Sequence, residues 1–326
     1  MPESSTLAAV RAWAARRRFT AAQFSPEQLT AAKRDASVAI VIPTRECAET
    51  IRAVLQEAVD PLAATGLVDE VVVIDAGSRD GTDAIATAGG ARVLQQDELM
   101  SAHGPALGKG DALWRAVAAT RGDIVCFIDG DTADPVPGHV LGLLGPLIAD
   151  PTIEFVKGAY DRPLRAGEAE LAHEGGRVTE LMARPLLNLY EPLLAGFAQP
   201  LAGEFAARRP LLESIPFPVG YGVEIGVLIE ALHARGLDAL AECHIGTRRN
   251  RHQPLRSLGE MAYAVLAAVQ RRTGDRRPTG QRPDGHFLKP WEDFALVEVP
   301  ISERPPLTSV LADASSGRPG TSGARG

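Results

Sequence analysis

Short apolar runs alternate with segments of helical periodicity along the first half of the chain. The apolar runs cover residues 38–43, 70–75, 91–94 and 124–128, and the helical segments cover residues 48–63, 83 onward and 112–120. Continuous apolar runs are typical of strands that are buried on both faces of a sheet. Strands that alternate with helices in this way predict an α/β fold, with a doubly wound, mostly parallel sheet and a nucleotide-binding half over residues 37–135.

The pattern is less regular in residues 136–301, which we expect to form a mixed α/β half with C-terminal helices. It predicts strands at 154–160, 201–207 and 237–246. It also predicts helices at 140–148, 180–189 and 255–272, and a further helix that ends near residue 234. Residues 1–36 predict a helical leader, in which Ser25 caps a helix with Pro26 at its first position. Residues 302–326 are rich in Pro, Gly and Ser, a composition that predicts a disordered tail.

The composition is that of an ordinary globular protein, with 326 residues of which 45% are hydrophobic and 23% charged. No apolar run is long enough to span a bilayer and the first residues lack a signal-peptide core, so no membrane partner is expected. The net charge of −7 argues against nucleic-acid binding, and an anionic substrate would need a local basic cluster. Cys47, Cys126 and Cys243 show no paired spacing, which favours a reducing, cytoplasmic environment.

Two carboxylates follow the strand at residues 124–128, in the triplet Asp129-Gly130-Asp131. Because unpaired carboxylates are costly to bury, we expect them at the carboxyl end of the strand, where α/β sheets bind ligands. Gly130 allows a bulky partner to approach closely, and the carboxylate oxygens suit Mg²⁺ or Mn²⁺. The triplet therefore predicts a cation site for a diphosphate. The alternative is that the two carboxylates are simply hydrated in the loop where the chain leaves the strand.

Further residues of the first half could contact a nucleotide. Asp75 ends a strand before the turn at residues 76–82, where it could bind a base or ribose or else organise the turn. Asp80 is expected to cap the helix that follows. Lys109 lies between two glycines in a predicted loop, from which its ammonium could reach a phosphate, although the spacing is not that of a P-loop.

Three segments of the second half carry candidate binding residues. Arg177 lies behind two glycines at a predicted helix start, which suits an anion; an ordinary surface helix start is the alternative. Glu224 is a carboxylate in apolar surroundings that could bind sugar hydroxyls or pair with an arginine. The basic cluster at residues 248–252 could hold a phosphate or carboxylate, and His252 could complete a metal site.

Seven motifs occur in order between residues 36 and 265: IPTRE (42–46), VIDAGSRDGT (73–82), GKGDALWR (108–115), FIDGD (127–131), GGRVTELMARPLL (175–187), QPLAGEFA (199–206) and GYGVEIG (220–226). Taken together they resemble nucleotide-sugar glycosyltransferases of the GT-A fold. The resemblance is closer to glycosyltransferase family 81, the family of glucosyl-3-phosphoglycerate synthases. A set of ordered motifs is far more specific than any single one.

The resemblance implies a role for each of the matching residues. The uridine pocket would be lined by Pro43, Thr44, Arg45, Glu46, Cys47, Ala76 and Lys109. Asp129 and Gly130 would contact the ribose and diphosphate, and Asp131 would bind the metal, Mg²⁺ or Mn²⁺. Tyr221, Gly222, Val223 and Glu224 would face the glucose, with Asp131 and Glu224 as the catalytic residues. The acceptor would be seated in the second half by Gly176, Arg177, Val178, Thr179, Asn250 and Arg251.

The chain departs from the family pattern in two places. The family has His-Arg-Asn in the basic loop, whereas this chain has the inverted order Asn250-Arg251-His252. Either Asn250 or His252 could approach the metal, and we expect His252 to be the ligand. Glu46-Cys47 stands where the family has Asn-Glu or Asp-Glu, which could shift the base preference among uridine, guanosine and adenosine.

The resemblance implies a retaining, metal-dependent enzyme, expected as a homodimer, that transfers glucose from UDP-glucose to the 2-hydroxyl of 3-phospho-D-glycerate. The nearest alternative is the same chemistry with GDP-mannose, giving mannosyl-3-phosphoglycerate. A sugar-phosphate nucleotidyltransferase would need a glycine-rich loop near the first strand, where this chain has Pro43-Thr44-Arg45-Glu46. A non-catalytic sensor of nucleotide sugars is a further alternative.

Overall fold

The computed structural model describes residues 5–162, 164–166, 169–171, 176–248, 255–274, 286–291 and 293–298. Within these residues the strands are β1 Arg18–Thr20, β2 Val38–Thr44, β3 Glu70–Asp75, β4 Arg92–Gln95, β5 Ile124–Phe127, β6 Phe155–Asp161, β7 Leu164–Ala166, β8 Ala169–Leu171, β9 Phe205–Arg208, β10 Leu240–Thr247, β11 His286–Lys289 and β12 Ala295–Glu298. The tail predicted at residues 302–326 lies outside the described residues.

The helices of the described residues are α1 Ser5–Arg17, α2 Pro26–Lys33, α3 Ile51–Ala53, α4 Asp60–Ala63, α5 Thr82–Ala88, α6 Lys109–Ala119, α7 Pro137–Ala149, α8 Arg184–Tyr190, α9 Arg209–Ser214, α10 Val223–Arg235 and α11 Leu255–Thr273. A π-helical stretch, Val54–Val59, joins α3 to α4, and a second one, Thr179–Ala183, leads into α8. Ser25 caps α2 as predicted, since its side chain accepts a hydrogen bond from the Gln28 amide.

Eight strands form one sheet in the order β1-β10-β6-β9-β5-β2-β3-β4. Neighbouring strands are parallel except for β9, which runs antiparallel to both β5 and β6. The predicted doubly wound, mostly parallel sheet is confirmed. The halves predicted at residues 37–135 and 136–301 both contribute strands to it.

Apolar side chains cover both faces of this sheet. Successive residues of β2 point to opposite faces, so that Val41 belongs to one buried cluster and Ile40 and Ile42 belong to the other. A strand buried in this way needs apolar residues at every position, which is why its sequence shows no alternation.

The N-terminal segment is fastened to the main sheet. Trp13 of α1 is fully buried and donates a hydrogen bond from its indole Nε1 to the Leu240 carbonyl at 2.8 Å. Arg17 contacts Asp150 at 2.5 Å, and Arg18 begins β1, which pairs with β10. The sequence did not predict β1, because a three-residue strand has no periodicity to detect. No helix in the described parts of the chain is long and apolar enough to cross a membrane.

Candidate active site

The acidic triplet lies at the carboxyl edge of the sheet, directly after β5. The Ile128 amide still donates to the Val41 carbonyl at 3.1 Å, and the chain then leaves the sheet at Asp129. A Cβ atom at Gly130 would lie 2.7 Å from Cγ2 of Thr44, and Thr50 donates its hydroxyl to the Gly130 carbonyl at 2.7 Å. Glycine is therefore required here because the end of β2 approaches closely.

Lys109 is the first residue of α6, whereas the sequence predicted a loop that continued to residue 111. Its Nζ contacts Oδ1 of Asp129 at 2.8 Å and Oε1 of Glu224 at 2.9 Å. Burial alone would lower the pKa of Lys109, but the two carboxylates raise it above its ordinary value. The ammonium thus stays charged and joins the acidic triplet to the start of α10. Glu224 pairs with this lysine, where the sequence suggested an arginine as the alternative to sugar hydroxyls.

The two glycines beside Lys109 leave room for the loop that precedes α10 to approach closely. The Asp111 amide donates to the Val219 carbonyl at 3.0 Å. A Cβ atom at Gly110 would lie only 1.8 Å from the Pro218 carbonyl oxygen, and one at Gly108 would lie 3.0 Å from that of Val219. The Gly-Lys-Gly sequence is explained by this contact between the start of α6 and the loop before α10, which the sequence did not reveal.

Arg248 holds both carboxylates of the triplet from the end of β10. Its Nη2 lies 3.1 Å from Oδ2 of Asp129 and 3.1 Å from Oδ1 of Asp131, and Arg248 also pairs with the buried Glu204. Burial opposes ionisation of Asp129, but Lys109 and Arg248 hold the pKa of that carboxyl well below its usual range. The sequence placed Arg248 in a basic cluster that could hold a phosphate or carboxylate; in the structure its guanidinium contacts the protein's own acids.

The carboxylate of Asp131 is the group of the triplet that could bind a divalent cation. The Asp131 side chain is 63% exposed, although one oxygen contacts Arg248. No group of three His, Cys, Asp or Glu residues that could hold a metal occurs among the described residues. Mg²⁺ is commonly bound through one or two carboxylates together with substrate phosphates and water. The residues present fit such a cation, with Asp131 as the carboxylate; the predicted ligand His252 lies outside the described residues.

The loop after β2 and the loop after β3 lie beside the triplet and are joined to each other by hydrogen bonds. The Glu46 amide donates to the Ser78 hydroxyl at 2.9 Å, and the Glu46 carboxylate accepts from the Arg79 amide at 3.0 Å. The Cys47 amide donates to the Thr82 hydroxyl at 2.8 Å. Burial raises the pKa of the Cys47 thiol to about 11, so this cysteine is a neutral thiol at ordinary pH.

Asp75 organises the second of these loops. It is fully buried at the end of β3 and accepts hydrogen bonds from the Thr44 hydroxyl at 3.0 Å and from the Ser78 amide at 2.9 Å. Asp80 accepts from the Thr82 amide and hydroxyl, which forms an Asx turn, but the residue at the N-cap of α5 is Gly81 and no side chain caps that helix. Of the two roles considered for Asp75, the structure supports the organisation of the turn.

The other donor-binding candidates surround this edge of the sheet. Pro43 and Thr44 end β2, Arg45 follows them, and Ala76 follows β3 with its amide donating to the Thr44 carbonyl at 2.9 Å. Gly222 precedes α10, Val223 is buried as its first residue, and Tyr221 is 53% exposed. Strands β2, β3 and β5 are adjacent and parallel, so their carboxyl ends bring Pro43, Thr44, Arg45 and Ala76 near the triplet, and Lys109 joins the triplet to the start of α10.

The acceptor-binding candidates are described only in part. Gly176 has φ of +79° and precedes the helical segment that contains Arg177 and Val178, both half-buried, and the buried Thr179. The Glu180 amide donates to the Gly176 carbonyl at 3.0 Å, which closes the first helical turn. Asn250 and Arg251 lie outside the described residues, and Arg248 is the last described residue before them.

Sequence reasoning missed three residues of the site. Thr50 and Glu204 support the triplet through the Gly130 carbonyl and through Arg248. Lys157 of β6 is fully buried beneath Glu224. A signal was present for Lys157 and for Glu204, since each places a charge in or next to an apolar strand, which calls for a partner.

The chain is similar to several known proteins. The family model described as Glycosyl transferase family 2 matches residues 39–181. Glucosyl-3-phosphoglycerate synthase of Mycolicibacterium smegmatis is 43% identical over 285 residues, which cover 86% of this chain and 92% of that protein. The protein of the same name from Mycobacterium tuberculosis H37Rv is 46% identical over 250 residues, or 76% of each chain.

Solved structures with similar sequences share the fold. The crystal structure of mannosyl-3-phosphoglycerate synthase from Rubrobacter xylanophilus matches with a TM-score of 0.76 at 43% identity, covering 92% of this chain and 99% of that one. Glucosyl-3-phosphoglycerate synthase from M. tuberculosis, in complex with Mn²⁺, UDP-glucose and phosphoglyceric acid, matches with a TM-score of 0.70 at 40% identity. That match covers 88% of this chain and 95% of the other.

Proposed function

Because the chain belongs to the family of the glucosyl-3-phosphoglycerate synthases, which are glycosyltransferases, we propose that it transfers glucose from UDP-glucose to the 2-hydroxyl of 3-phospho-D-glycerate. The observation that carries the proposal is the joined arrangement of Asp129, Lys109 and Glu224 at the carboxyl edge of the sheet. This edge is where doubly wound sheets bind nucleotides. The arrangement links a site for a diphosphate to a site for a sugar.

The diphosphate would lie over the acidic triplet. The base would lie between the loop after β2 and the loop after β3, which Glu46 joins by hydrogen bonds. Asp131, and His252 by family resemblance, would hold a divalent cation, for which Mg²⁺ and Mn²⁺ are the candidates. When bound, the cation supplies positive charge that stabilises the departing diphosphate. The related M. tuberculosis structures hold Mn²⁺ or Mg²⁺ together with UDP, which supports this assignment.

The glucose would lie against the start of α10. Glu224 is fixed there by Lys109, so its second carboxylate oxygen can accept hydrogen bonds from sugar hydroxyls. Tyr221 is exposed beside it and can cover one face of the ring. Gly176, Arg177 and Thr179, at a helix start, would bind the acceptor, because amide groups and a guanidinium suit phosphate and carboxylate.

Retention of the anomeric configuration is part of the proposal. Retaining glycosidases use a carboxylate nucleophile, which must be free to attack the anomeric carbon. Asp129 is bound by both Lys109 and Arg248, and the oxygen of Glu224 that Lys109 leaves open is the one proposed to accept the sugar hydroxyls, so neither is an evident nucleophile. This supports a front-face reaction, in which the acceptor oxygen bonds to the anomeric carbon as the bond to the diphosphate breaks and the leaving phosphate takes the acceptor's proton.

A second candidate is the same transfer from GDP-mannose. The similarity to mannosyl-3-phosphoglycerate synthase of R. xylanophilus favours it, at an identity equal to that of the M. smegmatis relative. Competition between UDP-glucose and GDP-mannose in one reaction with 3-phosphoglycerate and Mg²⁺ tests the choice. Release of UDP with little GDP is the expected result, and preferential release of GDP would overturn the donor assignment. Pyrophosphate release from a nucleoside triphosphate would identify a nucleotidyltransferase, and tight binding of UDP-glucose without turnover would identify a sensor.

We include a homodimer and a cytoplasmic location in the proposal. Exposed apolar side chains on two neighbouring helices, Leu181 and Tyr263, support an interface between copies. The three cysteines are free and buried, which suits a reducing compartment. Sedimentation velocity should give the mass of two chains, and a monomer at micromolar concentration would contradict the dimer.

A further inference from the structure

Lys157 is a buried lysine that the proposed reaction does not yet use. It lies in the middle of β6 with none of its surface exposed. A lysine ammonium is costly to remove from water, and lysines are almost never fully buried without a partner. An apolar residue would fill the same position in the sheet without that cost. The presence of an amine here therefore calls for an explanation.

The amine of Lys157 points towards the start of α10. Its Nζ donates a long hydrogen bond, 3.4 Å, to the backbone carbonyl of Glu224, and it lies 5.3 Å from the ring centre of Phe205 on the neighbouring strand β9. The aromatic face can support a cation but does not accept a strong hydrogen bond. The Glu224 carbonyl is thus the specific contact of this amine.

The same residue, Glu224, carries the carboxylate proposed to bind the sugar. Its Oε1 is held by Lys109 at 2.9 Å, while its carbonyl is held by Lys157 from the sheet side. Two lysines on different elements, α6 and β6, therefore fix the two ends of one residue. The Lys109 contact restricts the rotation of the Glu224 side chain, and the Lys157 contact holds the backbone from which that side chain projects, as a preorganised site requires.

The contact does not depend on the protonation state of the amine. Burial lowers the pKa of Lys157 to about 7, although Glu224 and Asp129 act in the opposite direction. Both the ammonium and the neutral amine carry N–H groups, so either form can donate to the Glu224 carbonyl. A fixed hydrogen bond at neutral pH is therefore available in both states.

We propose that Lys157 is a positioning residue for the donor sugar, which holds Glu224 in place through its backbone and so determines how the glucose ring is recognised. The inference rests on the proposed function, because it takes the group bound at Glu224 to be the sugar of a nucleotide donor. Loss of the amine should impair recognition of the sugar while the nucleoside diphosphate, which lies over Asp129 and Asp131, still binds.

The test compares affinity for UDP with affinity for UDP-glucose. Lys157→Met removes the amine and keeps a chain of similar volume. Lys33→Met is the matched control, since Lys33 is also largely buried but pairs with Asp69 at the opposite edge of the sheet. Calorimetry with Mg²⁺ gives both affinities, and initial rates with 3-phosphoglycerate give kcat and KM. A purely structural lysine would weaken both ligands together.

The expected result for Lys157→Met is a change in UDP affinity below about twofold and a loss of about tenfold in kcat/KM for UDP-glucose. The UDP-glucose affinity should fall towards that of UDP. Lys157→Gln, which keeps an N–H donor on a shorter chain, should lose less, and Lys33→Met should resemble the wild type. Lys157→Gln also serves if the methionine variant does not fold.

Three outcomes would overturn the inference: an unchanged ratio of the two affinities, an equal loss for both ligands, or failure of both Lys157 variants to fold. None of these outcomes concerns the activity of the wild-type protein, so the proposed function would not be refuted by them. A wild-type protein that neither binds UDP-glucose nor transfers its sugar would instead refute the proposed function. Transfer from GDP-mannose would correct the donor, and the same comparison would then use GDP and GDP-mannose.

Discussion

At the scale of single residues, the site is a set of charges that neutralise one another. Asp129 contacts Lys109 and Arg248, and these cations reach on to Glu224 and Asp131 respectively. Each charge is therefore held by a neighbour of opposite sign, as buried charges require. Asp131 differs from the others because most of its side chain is exposed, so it can take a further cation.

Replacement of Asp131 should separate activity from folding. Asp131→Asn keeps the shape of the side chain but removes the charge that would hold the cation, and we expect kcat/KM to fall by about a thousandfold. The melting temperature should change little, because the side chain is largely exposed. Asp35→Asn, an exposed change in the segment before β2 and at the far edge of the sheet, is the control. Full activity in the Asp131 variant would refute the metal-binding role.

Because of Lys157, the free energy of unfolding should depend on pH in the alkaline range. The pKa of this lysine is about 7 in the folded protein and about 10.4 in an unfolded chain, so the unfolded state binds more protons between these values. Stability relative to Lys157→Met should therefore rise as pH increases from 7 to about 10. Lys109, Asp129 and Glu224 face the amine from other elements and remain in both proteins. Melting curves over this pH range test the prediction, and a difference that falls with pH would contradict it.

The sequence identified Asp129, Asp131, Lys109 and Glu224 as separate candidates, because each is a charge beside an apolar segment or a glycine. It could not show that three of them touch, since residues 109, 129 and 224 come from distant parts of the chain. For the same reason, the sequence could offer Arg248 only as part of a basic cluster that could hold a phosphate or carboxylate. Only the position of β10 in the sheet shows that its guanidinium is used by the protein's own acids.

At the scale of elements, the site depends on the contact between the start of α6 and the loop before α10. The close approach at Gly108 and Gly110 sets where Lys109 meets Glu224. Local propensity cannot predict such a contact, because glycine is unfavourable within a helix and usually suggests a loop. The sequence accordingly placed the start of α6 too late.

A methyl group at Gly110 should disturb this contact. Gly110→Ala would place its Cβ 1.8 Å from the Pro218 carbonyl, so the loop before α10 must move. We expect a loss of about 1–3 kcal/mol in stability, as is typical of overpacking, together with weaker UDP-glucose binding. Gly259→Ala in α11 is the matched control, since nothing lies within 4 Å of its Cβ. Equal behaviour of the two variants, in melting temperature and in activity, would show that the contact is unimportant.

The attachment of the N-terminal segment should weaken in acid. Hydrogen bonds from Thr152, together with Arg17, lower the pKa of Asp150 to about 2. The folded pKa lies below the unfolded value of about 3.9, so this stabilisation is complete above that value and is lost as pH falls towards 2. The pair is partly exposed, so Asp150→Asn should cost less than about 1 kcal/mol at neutral pH. Urea titrations of both proteins should converge at low pH, and a constant difference would contradict the assignment.

At the scale of the whole molecule, the order of strands and helices was predicted well from the sequence. The apolar runs gave β2, β3, β4 and β5 nearly to the residue, because strands buried on both faces need apolar side chains throughout. The antiparallel direction of β9 and the short pairs β7–β8 and β11–β12 were not predicted. Strand direction depends on how distant segments pair, and very short strands carry little pattern.

The joined halves of the sheet explain how one chain could bind two substrates. The residues proposed to bind the nucleotide of the donor follow β2, β3 and β5, while Arg248 follows β10 and Lys157 lies in β6, on the other side of β9. The acidic triplet, the start of α10 and the end of β10 therefore meet at one edge. We expect the acceptor to approach from the side of residues 176–179.

The most direct test of the account is the structure of the product formed from UDP-glucose and 3-phosphoglycerate in the presence of Mg²⁺. Proton and carbon NMR spectra of the purified product would identify both the linkage and the anomeric configuration. We predict an α-glucosyl group on the 2-oxygen of 3-phosphoglycerate and one equivalent of UDP. A β-linked product would contradict retention, and the absence of any glycosidic product from this donor and acceptor would contradict the proposed reaction itself.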